Sequence, residues 1–282
     1  MATATASHPI QHGDVEKRFK IVVGIDFGTS GVAAGYILLP VKDMATMEIH
    51  SINSLPGITD RDKAPTCIAL HRDPPHEILA FSSDVVQLLR REDSDALVFH
   101  RFKMQLYDAN RKEKDLLSLR IPADVGKGDL PLILVITRCL EFVCEKVKKE
   151  IHTRGLRLKP SEYKWVLTVP AIWSEQAKAC MRIAAVNAGI IKEEASDQLT
   201  LALEPECAAL DSYYSILSEV ANTKHMVIDA GGGTVDVAVH HVQSVEDPKA
   251  SGKTYQIEEV YKASGRPIYY YINLKKRNKD GS

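Results

Sequence analysis

Asp26 ends an apolar run and is followed at once by Gly28, Thr29, Ser30 and Gly31, all within IVVGIDFGTSGVAAGYIL, Ile21 to Leu38. The same order returns in MVIDAGGGTVDVAVHHV, Met226 to Val242, where Asp229 precedes Gly231, Gly232, Gly233 and Thr234. Each copy reads as a hairpin of strand, aspartate, glycine-rich turn and strand. Glycines adopt backbone angles that side chains resist, so successive N–H groups can converge on one concavity, where anions collect. Thr29, Ser30 and Thr234 add hydroxyl donors. A carboxylate at a strand end is unsuited to touch phosphate and well placed to hold magnesium through its water shell. Two such hairpins suit a clamp on a metal-bound polyphosphate. An ordinary hairpin whose glycines merely permit a turn explains one copy. The recurrence of every part in one order weighs against that for two. Other phosphate loops are missing: there is no GxxxxGKS/T and no GxGxxG opening a helix.

The elements that must carry these groups follow from periodicity. Met47 to Asn53 and Thr66 to His71 read as strands separated by the turn-rich PGITDRDKAP. Phe81 to Arg91 places Val85, Val86, Leu88 and Leu89 at spacings that suit one helical face. In VFHRFKMQL, Val98 to Leu106, snorkelling surface cations are expected, with a phosphate-facing patch as the alternative. Asp129 to His152 is the strongest helix, with Leu132, Val135, Ile136, Cys139, Leu140, Val143, Val147 and Ile151 in helical register. Its lysine-rich end suits the negative pole of the helix dipole. Tyr163 to Val169 is a strand closed by Pro170, and Ser174 caps a helix through Ala188 that stops at Gly189. A strand, Leu199 to Leu203, runs into Glu204-Pro205 and a helix to about Leu217. Glu204 thus sits where α/β sheets place ligands, unless it only pairs with a nearby cation.

A chain of 282 residues with 45% hydrophobic and 26% charged side chains has ordinary globular chemistry and room for two domains. The net charge of -1 argues against a nucleic-acid surface spread over the molecule. No apolar run approaches the roughly twenty residues of a membrane span. MATATASHPIQHGDVEKRF has no apolar stretch before a cleavage site and reads as a disordered lead-in, so the expected compartment is the cytoplasm. Cys67, Cys139, Cys144, Cys180 and Cys207 form no CxxC pair and read as reduced core residues rather than zinc ligands or disulfides.

Four runs, GIDFGTS, VPAIWSEQAK, LEPECAA and VIDAGGGTVDVAV, occur in the order used by the actin-like ATPase superfamily. They most resemble the nucleotide-binding domain of the 70-kDa heat-shock proteins, whose corresponding runs look like GIDLGTT, VPAYF, EPTAAA and DLGGGTFDV. The match covers about residues 20 to 265, and its loose spelling and EEVYKASG resemble the divergent heat shock 70 kDa protein 12 branch more than a general chaperone. The resemblance implies an α/β, ribonuclease H-like fold of two lobes with ATP and Mg2+ as cofactors. The first lobe is expected over 20–195, an incomplete second over 196–265, a tail over 1–19 and a divergent basic tail over 266–282. It implies Asp26 in the metal's outer shell, Thr29 and Ser30 on the β and γ phosphates, and Gly231 to Thr234 closing from the other lobe. Asp229 and Asp236 would position metal and attacking water, and Glu204 would join the water network. Chemistry of this kind is mostly positioning and charge stabilisation.

The departures matter as much. The family's phosphate-contacting lysine has Gln87 near its place, and Lys103, Arg90 and Arg91 are the candidate substitutes. Gly31 replaces a bulkier residue, which is expected to loosen the turn. The family continues into a helical lobe and an adenosine-binding segment, whereas here the chain runs to RPIYYYINLKKRNKDGS, which reads as a truncated form with half the purine pocket missing. Its KKRNK suits a solvated basic terminus, with a nuclear-import or nucleic-acid patch as the alternative. The expected function is ATP binding with weak or absent hydrolysis. A non-catalytic pseudo-ATPase interaction fragment comes next, and a sugar or acetate kinase of the same superfold last. The nucleotide is the expected partner; protein partners are left open.

Overall fold

Alternating apolar residues build the central strands. In β1 (Ile21–Phe27), Ile21, Val23, Ile25 and Phe27 point into the core while Val22, Gly24 and Asp26 point the other way. In β10 (Tyr163–Val169) the same alternation buries Tyr163, Trp165, Leu167 and Val169. The computed structural model describes residues 18–41, 47–58, 63–91, 95–111, 115–214, 221–245 and 254–267. The expected terminal tails lie almost wholly outside them.

β1 pairs antiparallel with β2 (Gly31–Leu38) and parallel with β10. With β3 (His50–Ser51) and β11 (Leu199–Leu203) they run in the order β11-β10-β1-β2-β3, and β4 (Ala64–Pro65) pairs with β2 off this path. A second sheet orders β6-β5-β7 from β5 (Cys67–His71), β6 (Ile78–Phe81) and β7 (Ala96–His100). Two short helices follow from it, α1 (Asp84–Leu89) after β6 and α2 (Met104–Arg111) after β7. The hairpin of β8 (Arg120–Pro122) and β9 (Asp129–Pro131) leads into α3 (Leu132–Thr153).

The helix expected from Asp129 therefore begins three residues later, because Asp129–Pro131 pairs with β8 as a strand and Pro131 keeps the preceding Leu130 out of the α region. All eight apolar residues of its expected face are buried. Each of the aliphatic ones contributes about 1.5–3 kcal/mol by removal from water. α4 (Glu175–Asn187) packs against α3 and starts where expected, with Ser174 Oγ accepting from Ala177 N–H at 3.2 Å. It closes at Gly189, whose φ of +66° is the left-handed turn that glycine permits. All five cysteines are free thiols, and Cys139, Cys144 and Cys180 are buried. Burial pushes the Cys144 thiol up to about 12 and the Cys67 thiol to about 11, the nearby Asp124 adding to the latter.

Three expectations are corrected. Met47 to Asn53 is not a full strand: only His50–Ser51 pairs, with the Gly35–Tyr36 stretch of β2, and Ile49 stands 62% exposed, which breaks the alternation. The α1 face is narrower than expected, since Val85 is buried while Val86 and Leu89 are exposed on so short a helix. The segment from Val98 is half strand and half helix, turned at Arg101, where φ is +52°. That turn sends Phe102 and Lys103 inward.

The chain divides into two compact units. One takes the residues up to Thr168 together with Ser174–Ala202, the other Val169–Trp173 and everything from Leu203. In the latter, β12 (Thr223–Ala230), β13 (Thr234–Val245) and β14 (Thr254–Pro267) form an antiparallel sheet on which α5 (Glu204–Tyr214) packs. Asp236, Ala238, His240 and Val242 of β13 are buried, while on β12 Met226 and Ile228 are 64% and 58% exposed. Among the described residues no helix is long and apolar enough to cross a membrane.

Candidate functional site

Asp26 lies one step beyond the Ile25–Leu167 pair, on the half-buried side of β1. The parallel register therefore brings it to Thr168, whose Oγ1 donates to Asp26 Oδ1 at 3.0 Å. Lys63 Nζ reaches the other carboxylate oxygen, Oδ2. The carboxylate is 36% exposed and the Lys63 side chain 52%.

The turn that follows is tied down from several directions. Gly28 N–H donates to Gly31 O at 3.0 Å, so this amide closes the turn rather than facing outward. Thr66, buried beside β4, donates through Oγ1 to Gly28 O at 2.8 Å and through its N–H to Ser30 O at 3.2 Å. Thr29 is half-buried and Ser30 exposed. Glycine is required at 28 by crowding, since a Cβ there would lie 2.6 Å from Gly31 O. Gly31 is buried, and its own Cβ would lie 2.7 Å from Lys63 Cβ. The expectation of a loosened turn is corrected accordingly: the missing side chain at 31 is the space through which Lys63 passes.

Beneath the turn, Lys103 is 2% exposed, donates through Nζ to Phe27 O, and lies 5.9 Å from the Phe27 ring centre. It is no snorkelling surface cation. Phe102 joins it, 6.3 Å from Phe27 between ring centres. Gln87 is exposed on α1.

In the other unit the register pairs Asp229 directly with Asp236 across β12 and β13. Asp236 is 1% exposed and Asp229 half-buried. Gly231 and Gly232 are exposed in the turn between them, Gly233 is buried, and Thr234 opens β13. Glu204 is half-buried in the first turn of α5, directly after Leu203 ends β11.

The sequence reading named the aspartates and glycines as site residues; it did not so name Lys63, Thr66 and Thr168, which the structure places against the first turn and its aspartate. Thr168 had a signal, the matching alternation of two parallel strands. Lys63 and Thr66 had none, because a two-residue strand has no periodicity. Among the described residues no group of three metal-ligating side chains is clustered.

The strand order of the first unit, with β1 antiparallel to β2 and parallel to β10, defines an actin-like ATPase fold of the ribonuclease H-like kind, as the motifs implied. Within that class the chain is similar to heat shock 70 kDa protein 12B of Homo sapiens, 30% identical over an alignment of 310 residues that takes in 88% of this chain and 43% of that protein. To heat shock 70 kDa protein 12A of Homo sapiens it is 26% identical, covering 89% of this chain and 44% of that one. The chaperone protein HscA homolog of Rickettsia prowazekii is 22% identical, covering 82% and 34%. The chain spans less than half the length of these curated relatives. No protein-family model matches it. Solved structures that superpose loosely include MreB 5 of Spiroplasma citri bound to AMPPNP, at TM-score 0.43 and 14% identity over 84% of this chain and 52% of that one. A non-polymerising MamK mutant bound to AMPPNP gives TM-score 0.42 and 15% identity over 84% and 54%.

Proposed function

We propose that this chain binds Mg-ATP, each Asp/Gly-rich hairpin taking part in holding the phosphates, and that it hydrolyses the nucleotide weakly or not at all. The observation that carries the reading is the recurrence, once in each of two compact units, of an aspartate at the end of one hairpin strand and a glycine-rich turn before the next.

The first hairpin fits such a ligand. Its turn holds Gly28 where a Cβ would strike Gly31 O, hydroxyls stand at Thr29 and Ser30, and a partly exposed carboxylate lies beside them. Magnesium, when bound, would offset phosphate charge that Asp26 alone would repel. Asp26 is assigned to its outer shell, fixed in orientation by Thr168. Thr29, Ser30 and Gly31 are assigned to the phosphates, as are Gly231, Gly232, Gly233 and Thr234. Asp229 and Asp236 are assigned to the metal and a water, and Glu204 to the same water network.

Weak turnover is favoured by the fate of the cations. Gln87 brings no charge, and the ammonium of Lys103 is engaged by the Phe27 carbonyl. With neither residue stabilising charge at the transferring phosphate in the transition state, the barrier to hydrolysis rises by several kcal/mol, while binding, to which other cations contribute, persists. A pseudo-ATPase that keeps nucleotide binding without chemistry is the second reading, and the same two residues support it.

The test is calorimetric titration of the purified chain with ATP, with and without magnesium, beside the Asp26→Ala, Asp229→Ala double variant. Magnesium-dependent binding that the variant loses is the expected result. A folded wild-type chain that binds no ATP overturns the proposal.

A further inference from the structure

Two features of the first hairpin, a glycine at position 31 and a lysine at position 63, form one device. Lys63 precedes β4, whose Ala64–Pro65 residues pair with the start of β2 at Val32 and Gly31. This pairing lays the Lys63 side chain directly across residue 31, where its Cβ and Cδ would lie 2.7 and 3.5 Å from any Cβ added there. Only glycine leaves that path open. Beyond it, the ammonium ends on the carboxylate of Asp26, on the far side of the turn.

We infer that Lys63 is a mobile polyphosphate-binding cation of the first hairpin, admitted through the slot at Gly31, and that its contact with Asp26 belongs to the ligand-free chain. The inference rests on the reading that this hairpin holds polyphosphate. Three observations carry it. Lys63 is half-exposed on a four-carbon stem, so its ammonium can swing from Asp26 toward the turn without moving the backbone. The pair is too exposed for it to be a folding staple, because ion pairs of this kind add little stability. Lys103, the other lysine beside the turn, is buried and engaged by the carbonyl of Phe27, which suits it to support the backbone from below.

A consequence follows for the metal. A divalent cation held at Asp26 would neutralise the carboxylate that Lys63 now faces, which would free the ammonium for phosphate. The chain then gains a phosphate contact in the step that gives up an ion pair.

The experiment titrates the full chain with Mg-ATP and with inorganic tripolyphosphate, by calorimetry, for wild type, Lys63→Ala, Lys63→Arg and Gly31→Ala. Each is first checked as folded by circular dichroism. Lys63→Ala should weaken both ligands by about tenfold to a hundredfold, the range of a charge-assisted hydrogen bond, and Lys63→Arg should retain most of the affinity. Gly31→Ala should weaken binding at least as much as Lys63→Ala, because the added Cβ meets the Lys63 Cβ at 2.7 Å and forces that side chain out of the slot. Wild-type affinity in Lys63→Ala overturns the inference, as does wild-type affinity in Gly31→Ala. Absence of ATP binding by the folded wild type overturns instead the function on which the inference rests.

Discussion

Replacing Asp26 by asparagine separates a structural role from a functional one. The substituted amide would keep the size of the side chain and an Oδ1 able to accept the Thr168 hydroxyl, now 3.0 Å from the carboxylate. What the change removes is the charge facing Lys63. With the two side chains 36% and 52% exposed, that ion pair contributes about 0–1 kcal/mol to folding. For a unit of this size, 1 kcal/mol moves Tm by about 2–4 °C, so Asp26→Asn should melt within about 4 °C of wild type. The same change deletes the carboxylate assigned to magnesium, and magnesium-dependent ATP affinity should fall by at least about tenfold, or ~1.4 kcal/mol. Differential scanning calorimetry gives the first quantity, and titration with ATP in the presence and absence of magnesium the second. A Tm lower by about 10 °C with magnesium-dependent binding intact would make Asp26 a folding residue and refute the reasoning.

Gly28→Ala places a Cβ 2.6 Å from Gly31 O, closer than real contacts come. The turn must open, costing about 1–3 kcal/mol of stability, and ATP affinity measured by titration should drop while circular dichroism stays unchanged. The thiols predict a pH dependence, because burial raises Cys67 to about 11 and Cys144 to about 12 from the ordinary 9.0. Below pH 9 both folded and unfolded thiols are protonated and stability is complete. Above it the unfolded thiols ionise first, so the urea midpoint should decline as pH rises from about 9 toward 11, and a rising midpoint would contradict the burial. In the same sense, Ellman's reagent at pH 8 should reach Cys139 and Cys144 only on unfolding.

Much of the fold was legible because it follows from local pattern. The alternation of Tyr163–Val169, the Ser174 cap and the long apolar stripe of α3 each settle an element from residues a few places apart. The two hairpins were legible for the same reason, and the aspartates stand where the motif put them. What escaped was set by distant partners. Ile49 and His50 have the composition of a strand, yet only the edge of β2 is available to pair, and pairing ends after two residues. Lys103 carries a surface residue's chemistry, and the left-handed turn at Arg101 buries it. Gly31 looks like a loss of stiffness until the path of Lys63 is known.

The fastenings of the first turn also set when it can form. Asp26 is reached by Lys63 from 37 positions away and by Thr168 from 142, while Thr66 and Lys103 bond to the turn backbone across separations of 38 and 76. Closing loops of those lengths is entropically unfavourable until other packing has drawn the segments together. The hairpin excised as a peptide would retain every glycine and none of these attachments. During synthesis the turn acquires its last fastening only once Thr168 has emerged, so the local motif comes first in sequence but is completed late in assembly. If the turn holds phosphate as proposed, competence for ligand would report that the surrounding unit has finished folding, and a chain arrested partway would display the motif without the fastened turn.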